Sequence, residues 1–88
     1  MSDKNTITLT INGTDITFEP SMMAYNKYVN ELMPNNKISP SINYLNRIVS
    51  ADGKSALETA LKSAGAAMQI ADVINEQFAP QVDIAIKK

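Results

Sequence analysis

Neither histidine nor cysteine occurs among the 88 residues. The usual general base near neutral pH, the commonest metal ligand and every thiolate reaction are thereby removed. Acid–base or metal chemistry would fall to the carboxylates of Asp15, Glu19, Glu31, Asp52, Glu58, Asp72, Glu76 and Asp83. A glycosidase or aspartyl-type site needs two of them held in one cleft, in environments that drive their pKa values apart. Asp72 and Glu76 are spaced i,i+4 but lie on the polar side of a predicted helix, the pattern of a solvated face. No Asp-rich ladder with a central glycine marks a calcium loop. The three glycines stand too far apart to cradle a phosphate, and no serine has a histidine to activate it. The expectation is a protein that is not an enzyme, with no cofactor and no metal.

Two other residue types stand out. Methionine suits both irregular core gaps and adaptable binding surfaces. Met22 and Met33 fall on the apolar stripe of the first predicted helix and read as core; Met23 and Met68 fall off their stripes. The latter two are either ordinary exposed side chains or parts of one apolar patch. Asparagine recurs at positions 26, 30, 35, 36, 43 and 46. Asn35 and Asn36 suit a turn, but the others occupy helix positions that asparagine fills poorly. Either they hydrogen-bond the connecting loop and hold it, or they contact a partner.

These residues must be positioned by a small frame. A chain this short makes one domain, residues 1–88 with 1–5 and 87–88 as flexible ends, and buries only about 60% of its unfolded surface. Small domains without disulfides often gain stability by association. The formal net charge of -1 offers no basic patch for nucleic acid. No apolar run approaches the roughly 20 residues of a membrane span, and the opening MSDKNTITLT shows no secretory signal.

In TITLTINGTDITFE, Ile7, Leu9 and Ile11 alternate with threonines, the period of a half-buried strand. Asn12-Gly13 marks a two-residue hairpin turn. That register sets Ile11 opposite Thr14, Leu9 opposite Ile16 and Ile7 opposite Phe18, with the apolar residues on one face. Ser21 is placed to cap a helix through MMAYNKYVNELM, whose apolar face holds Met22, Tyr25, Tyr28, Val29, Leu32 and Met33. Pro34 stops it. Ser39-Pro40 predicts the start of the next helix, with serine as cap and proline at the first helical position; Ile42, Leu45, Ile48 and Val49 share a face, with Tyr44 at its edge. A third helix is expected over 54–64, capped by Ser50 or Asp52, carrying a Glu58–Lys62 i,i+4 pair and ended or bent by Gly65. A fourth sets Ala67, Ile70, Ala71, Ile74 and Phe78 on one side and ends at Pro80. The closing VDIAIKK alternates Val82, Ile84 and Ile86 with Asp83, Ala85 and Lys87, as a third strand would. The expected class is α+β: an N-terminal β-hairpin and a C-terminal strand forming a three-stranded antiparallel sheet, with about four intervening helices on one face.

The block YNKYVNELMPNNKISPSINYLNRIV, Tyr25 to Val49, resembles the small tail assembly chaperones of tailed bacteriophages and prophages. So do ITLTINGTDITFE, GAAMQIADVINEQFAP and VDIAIKK, in the same order, so the likeness spans nearly the whole chain and is weakest over SADGKSALETALKS. It implies a non-catalytic protein of the host cytoplasm that binds the long helical tape measure protein, keeps it soluble during tail assembly and is absent from the finished virion. It implies no catalytic residue. An apolar groove for a partner helix is met by methionines and aromatics, and the candidates are Met23, Tyr28, Met33, Tyr44 and Met68. Self-association is plausible along a long partner; nucleic-acid and membrane partners are not expected. The alternatives are a small adaptor or regulatory protein of a phage, a phage DNA-associated factor, disfavoured by charge, and a minor structural protein of the virion.

Overall fold

A computed structural model describes residues 6–79 and 84–87. Strands β1 (Ile7–Ile11) and β2 (Thr14–Phe18) form an antiparallel hairpin, followed by α1 (Met22–Glu31), α2 (Ile38–Ile48), a 3-10 turn (Ala51–Gly53), α3 (Lys54–Ala60) and α4 (Ala66–Phe78). The hairpin register is the predicted one: Ile7 faces Phe18, Leu9 faces Ile16 and Ile11 faces Thr14. Asn12 (φ 52°) and Gly13 (φ 84°) both take positive φ, as a tight hairpin turn of matching twist requires. The outer face is polar and cross-linked. Thr8 Oγ1 and Thr17 Oγ1 lie 2.8 Å apart, and Thr10 Oγ1 donates to Asp15 Oδ1 at 2.6 Å.

The inner face is covered unevenly. Ile16 and Phe18 on β2 are fully buried, whereas Ile7, Leu9 and Ile11 on β1 are half-buried. The reason lies at the far edge of β2, where the chain leaving α2 pairs with it. Phe18 and Val49 form an antiparallel bridge. The Glu19 N–H donates to the Ile48 carbonyl at 2.7 Å, and the Ser50 N–H donates to the Thr17 carbonyl at 2.9 Å. Gly53 closes over this junction: a Cβ there would stand 3.1 Å from Ile16 Cγ2 and 3.2 Å from Val49 Cγ2. The described sheet thus has two strands extended by this short bridge. Of the expected third strand, Val82 and Asp83 lie outside the described residues; Ile84–Lys87 carry no regular structure, and Ile84 and Ile86 are exposed.

Helix α2 packs on both α1 and α4, and Leu45, Ile48, Leu57, Ala60, Ala67, Ile70, Ala71 and Ile74 join the hairpin residues in one core cluster. Ser21 caps α1 as expected, its Oγ accepting from the Ala24 N–H at 3.1 Å. At other ends the local signals differ from what forms. Helix α2 begins at Ile38, with Lys37 at the cap and no side-chain cap bond. Ser39 and Pro40 therefore sit inside the first turn, where a missing N–H is still harmless. Neither Ser50 nor Asp52 caps α3, which follows Gly53 directly without a side-chain cap bond. Helix α3 ends at Ala60, so Lys62 falls in the turn beyond it, and no ion pair joins it to Glu58 among the described residues. Gly65, at φ 77°, separates α3 from α4 as expected.

Candidate partner surface

The candidate residues divide between the interior and the surface. Tyr28 and Tyr44 go inward: their rings stack at 4.7 Å between centroids with 21° between planes. Tyr44 is fully buried and Tyr28 nearly so. Tyr25 extends the row, its centroid 6.4 Å from those of both Tyr28 and Phe78. The Tyr44 hydroxyl donates to Asn75 Oδ1 on α4 at 2.8 Å, so one side chain from α2 holds both α1 and α4. Burial, and then the neighbouring Tyr25 and Tyr28, push the Tyr44 phenol up to about 12. A partner could touch this ring only by parting α1 from α2.

The methionines go the other way. Met23 is 81% exposed and Met33 54% exposed, at opposite ends of α1. Met68 is half-buried in the first part of α4, on a different helix from Met23. Met22 corrects a core assignment, since it is 72% exposed; Met33 and Val29 likewise stand out in solvent. The apolar half of α1 is wider than α2 and α4 can cover. Tyr25, Tyr28 and Leu32 take the covered part; Met22 and Val29, seven residues apart and so on one stripe, take the uncovered part.

The elbow after α1 also carries exposed apolar side chains. Met33 and Asn36 exchange two backbone hydrogen bonds of 3.1 Å, closing a turn with Pro34 and Asn35 at its centre. Ile38, also exposed, opens α2 just beyond it. Sequence reasoning passed over Ile38 because it precedes the expected start of α2. The elbow is braced by its own backbone and by Arg47, whose Nη2 donates to Glu31 Oε2 at 3.1 Å. The asparagines do not hold it. Asn46 Nδ2 donates to the Ile42 carbonyl within its own helix; Asn26, Asn30 and Asn43 are exposed, with no side-chain hydrogen bond among the described residues. With the bracing role gone, these amides lie free along the exposed side of both helices.

Two recesses mark the described surface. An open cleft between α2 and α3 is lined by Ile42, Asn46, Lys54, Ser55, Glu58 and Leu61. A second, shallower groove runs between β1 and α4, lined by Leu9, Thr10, Ile11, Gln69, Ile70 and Val73. Among the described residues no three acidic side chains stand close enough to share a metal ion, and no helix is long and apolar enough to cross a membrane.

Comparison with known proteins matches residues 7–88 to the family model described as phage tail assembly chaperone. A protein of Haemophilus phage HP1 (strain HP1c1), described as an uncharacterized 11.3 kDa protein in the lys 3′ region, is 36% identical over 84 residues, covering 96% of this chain and 82% of the relative. No solved structure matches.

Proposed function

Since the chain belongs to the phage tail assembly chaperone family, we propose that it binds the tape measure protein of its phage as a non-catalytic holdase and keeps that protein soluble until the tail tube assembles around it. The observation that carries this reading is the exposure of Met22, Val29, Met33 and Ile38 along α1 and the elbow, with Met23 exposed beside them. Large apolar side chains gathered on one surface mark an interaction site more than scattered ones do. Unbranched methionines adapt to successive, non-identical helices, which is what a long amphipathic partner presents. Anchors spaced i and i+7, as Met22 and Val29 are, suit a helix laid alongside α1. The exposed Asn26 and Asn30 supply amides at the rim. Tyr28 and Tyr44 act from behind, fixing α1 so that the stripe stays presented. Met68, on a separate helix, is a second contact to be tested on its own. The place of action is the host cytoplasm, and the protein leaves before the virion is complete.

The test is co-expression with the tape measure protein, read as that protein's soluble fraction and its co-purification. Both are expected to rise with the wild-type chain and to fall several-fold with Met22→Ser/Met23→Ser/Met33→Ser, whose circular dichroism should stay native. If the wild-type chain neither raises solubility nor co-purifies, the reading fails. Finding the chain in purified particles would favour a structural role in the virion instead.

A further inference from the structure

Among the described residues, no strand pairs with the outer edge of β1. With a two-residue turn at Asn12-Gly13, the pairs Ile7–Phe18, Leu9–Ile16 and Ile11–Thr14 use their backbone groups between the two strands. The N–H and C=O groups of Thr8 and Thr10 consequently point away from β2. The opposite edge confirms this alternation: Thr17, paired with Thr8, turns its carbonyl outward to the Ser50 N–H. The β2 edge is closed by Ile48–Ser50, while β1 offers five residues without a charge, a proline or a bulge to protect them. Beside that edge runs the groove of Leu9, Ile11, Ile70 and Val73, with Val73 partly exposed.

The same chain carries the complementary shape. Ile84 and Ile86 are more than four-fifths exposed and alternate with Ala85 and Lys87. Such spacing puts both isoleucines on one face of a strand and Lys87 on the other. Laid against β1, Ile84 and Ile86 would enter the groove, and Ala85 and Lys87 would join the solvated threonine face. Among the described residues neither the tail nor the groove is paired with the other, and a second copy of the chain offers each its complement. We propose that the C-terminal segment Ile84–Lys87 of one copy adds to the β1 edge of a second copy, hydrogen-bonding the outward groups of Thr8 and Thr10, and that the exchange is reciprocal, giving a two-fold dimer. This pairing is independent of the tape measure reading, because it uses a different surface and no other protein.

Sedimentation of the purified full chain tests it. The wild type is expected to be dimeric at micromolar concentration. Thr8→Pro removes an outward N–H without touching the β1–β2 backbone bonds, at the cost of the Thr8–Thr17 hydroxyl contact, and Ile84→Asp/Ile86→Asp removes the groove anchors; each should be monomeric with a native circular dichroism spectrum. Mixing the two variants should restore a dimer of one copy each, because one still has the tail and the other the edge. A monomeric wild type overturns the proposal; a stability loss in the tail variant would then show that the tail pairs within its own chain. A dimer that survives Ile84→Asp/Ile86→Asp also overturns it and would point to β1 pairing with β1. A dimer that survives Thr8→Pro overturns it as well and places the contact elsewhere.

Discussion

Helix α1 turns Tyr25, Tyr28 and Leu32 toward the core and leaves Met22, Met23 and Val29 in solvent, although the apolar residues among them run continuously around nearly half of one short helix. The two flanks differ in kind as well as in exposure. On the covered flank two of the three side chains are rigid rings, and the row has fixed partners: Tyr28 stacks on Tyr44, and Tyr44 is tied by its hydroxyl to Asn75. On the open flank they are mostly thioethers with three rotatable bonds, which lose the most entropy if held in one place. Rigid groups serve where one geometry must be kept. Flexible ones serve where the geometry is set by whatever docks.

The contrast breaks first at Tyr44. Tyr44→Ala empties the centre of the stacked row and should cost about 3–5 kcal/mol, a large share of the stability of a domain this small. Urea unfolding would show it as a fall in the midpoint. If the loss were under about 1 kcal/mol, the covered flank would not be the anchor described here.

A smaller effect appears with pH. The Tyr44 phenol is raised from 10.0 to about 12 in the folded chain. A raised pKa means that the folded state holds the proton more tightly than the unfolded state. Its contribution is complete below pH 10 and is lost as the pH rises toward 12, to a total of about 2–3 kcal/mol. Tyr44→Phe cannot ionise and also lacks the Asn75 bond, so near pH 8 it should be less stable than wild type by about 1 kcal/mol. That gap should close above pH 10. A gap that stays constant across the alkaline range would show that the hydroxyl is not desolvated.

The smallest change in stability belongs to the open flank. Met22→Ser and Met23→Ser should each move the unfolding free energy by no more than about 0.5 kcal/mol. A clear destabilisation by Met22→Ser would mean that the stripe is core after all.

The same helix shows where sequence reasoning reaches and where it stops. The hairpin was legible down to its register, because a period of two and an Asn-Gly turn admit one alignment that keeps the apolar residues together. Periodicity also located the apolar half of α1. It could not say how much of that half the neighbours would cover, since coverage depends on where α2 and α4 come to rest. Tyr44 and Asn75 lie on different helices and carry no local signal for each other. The pairing of Val49 with Phe18 was hidden for a similar reason: Val49 reads as the end of an amphipathic helix, and its extended backbone is set only once the chain leaves α2. Of the candidate contacts, Met23 was legible because it fell off its stripe. Met22 and Val29 were not, because they fell on theirs.

The bridge between β2 and the end of α2 also fixes which parts of the molecule can open alone. The amides of Glu19 and Ser50 are bonded across it in opposite directions, so neither can reach solvent unless the hairpin and the C-terminal end of α2 part. Their exchange with deuterium should therefore follow one shared opening event. Among the described residues, the Thr8 and Thr10 amides on the other edge have no backbone partner that would require such an event. One side of the sheet is thus locked into the cooperative unit of the fold, and the other is left ready for exchange.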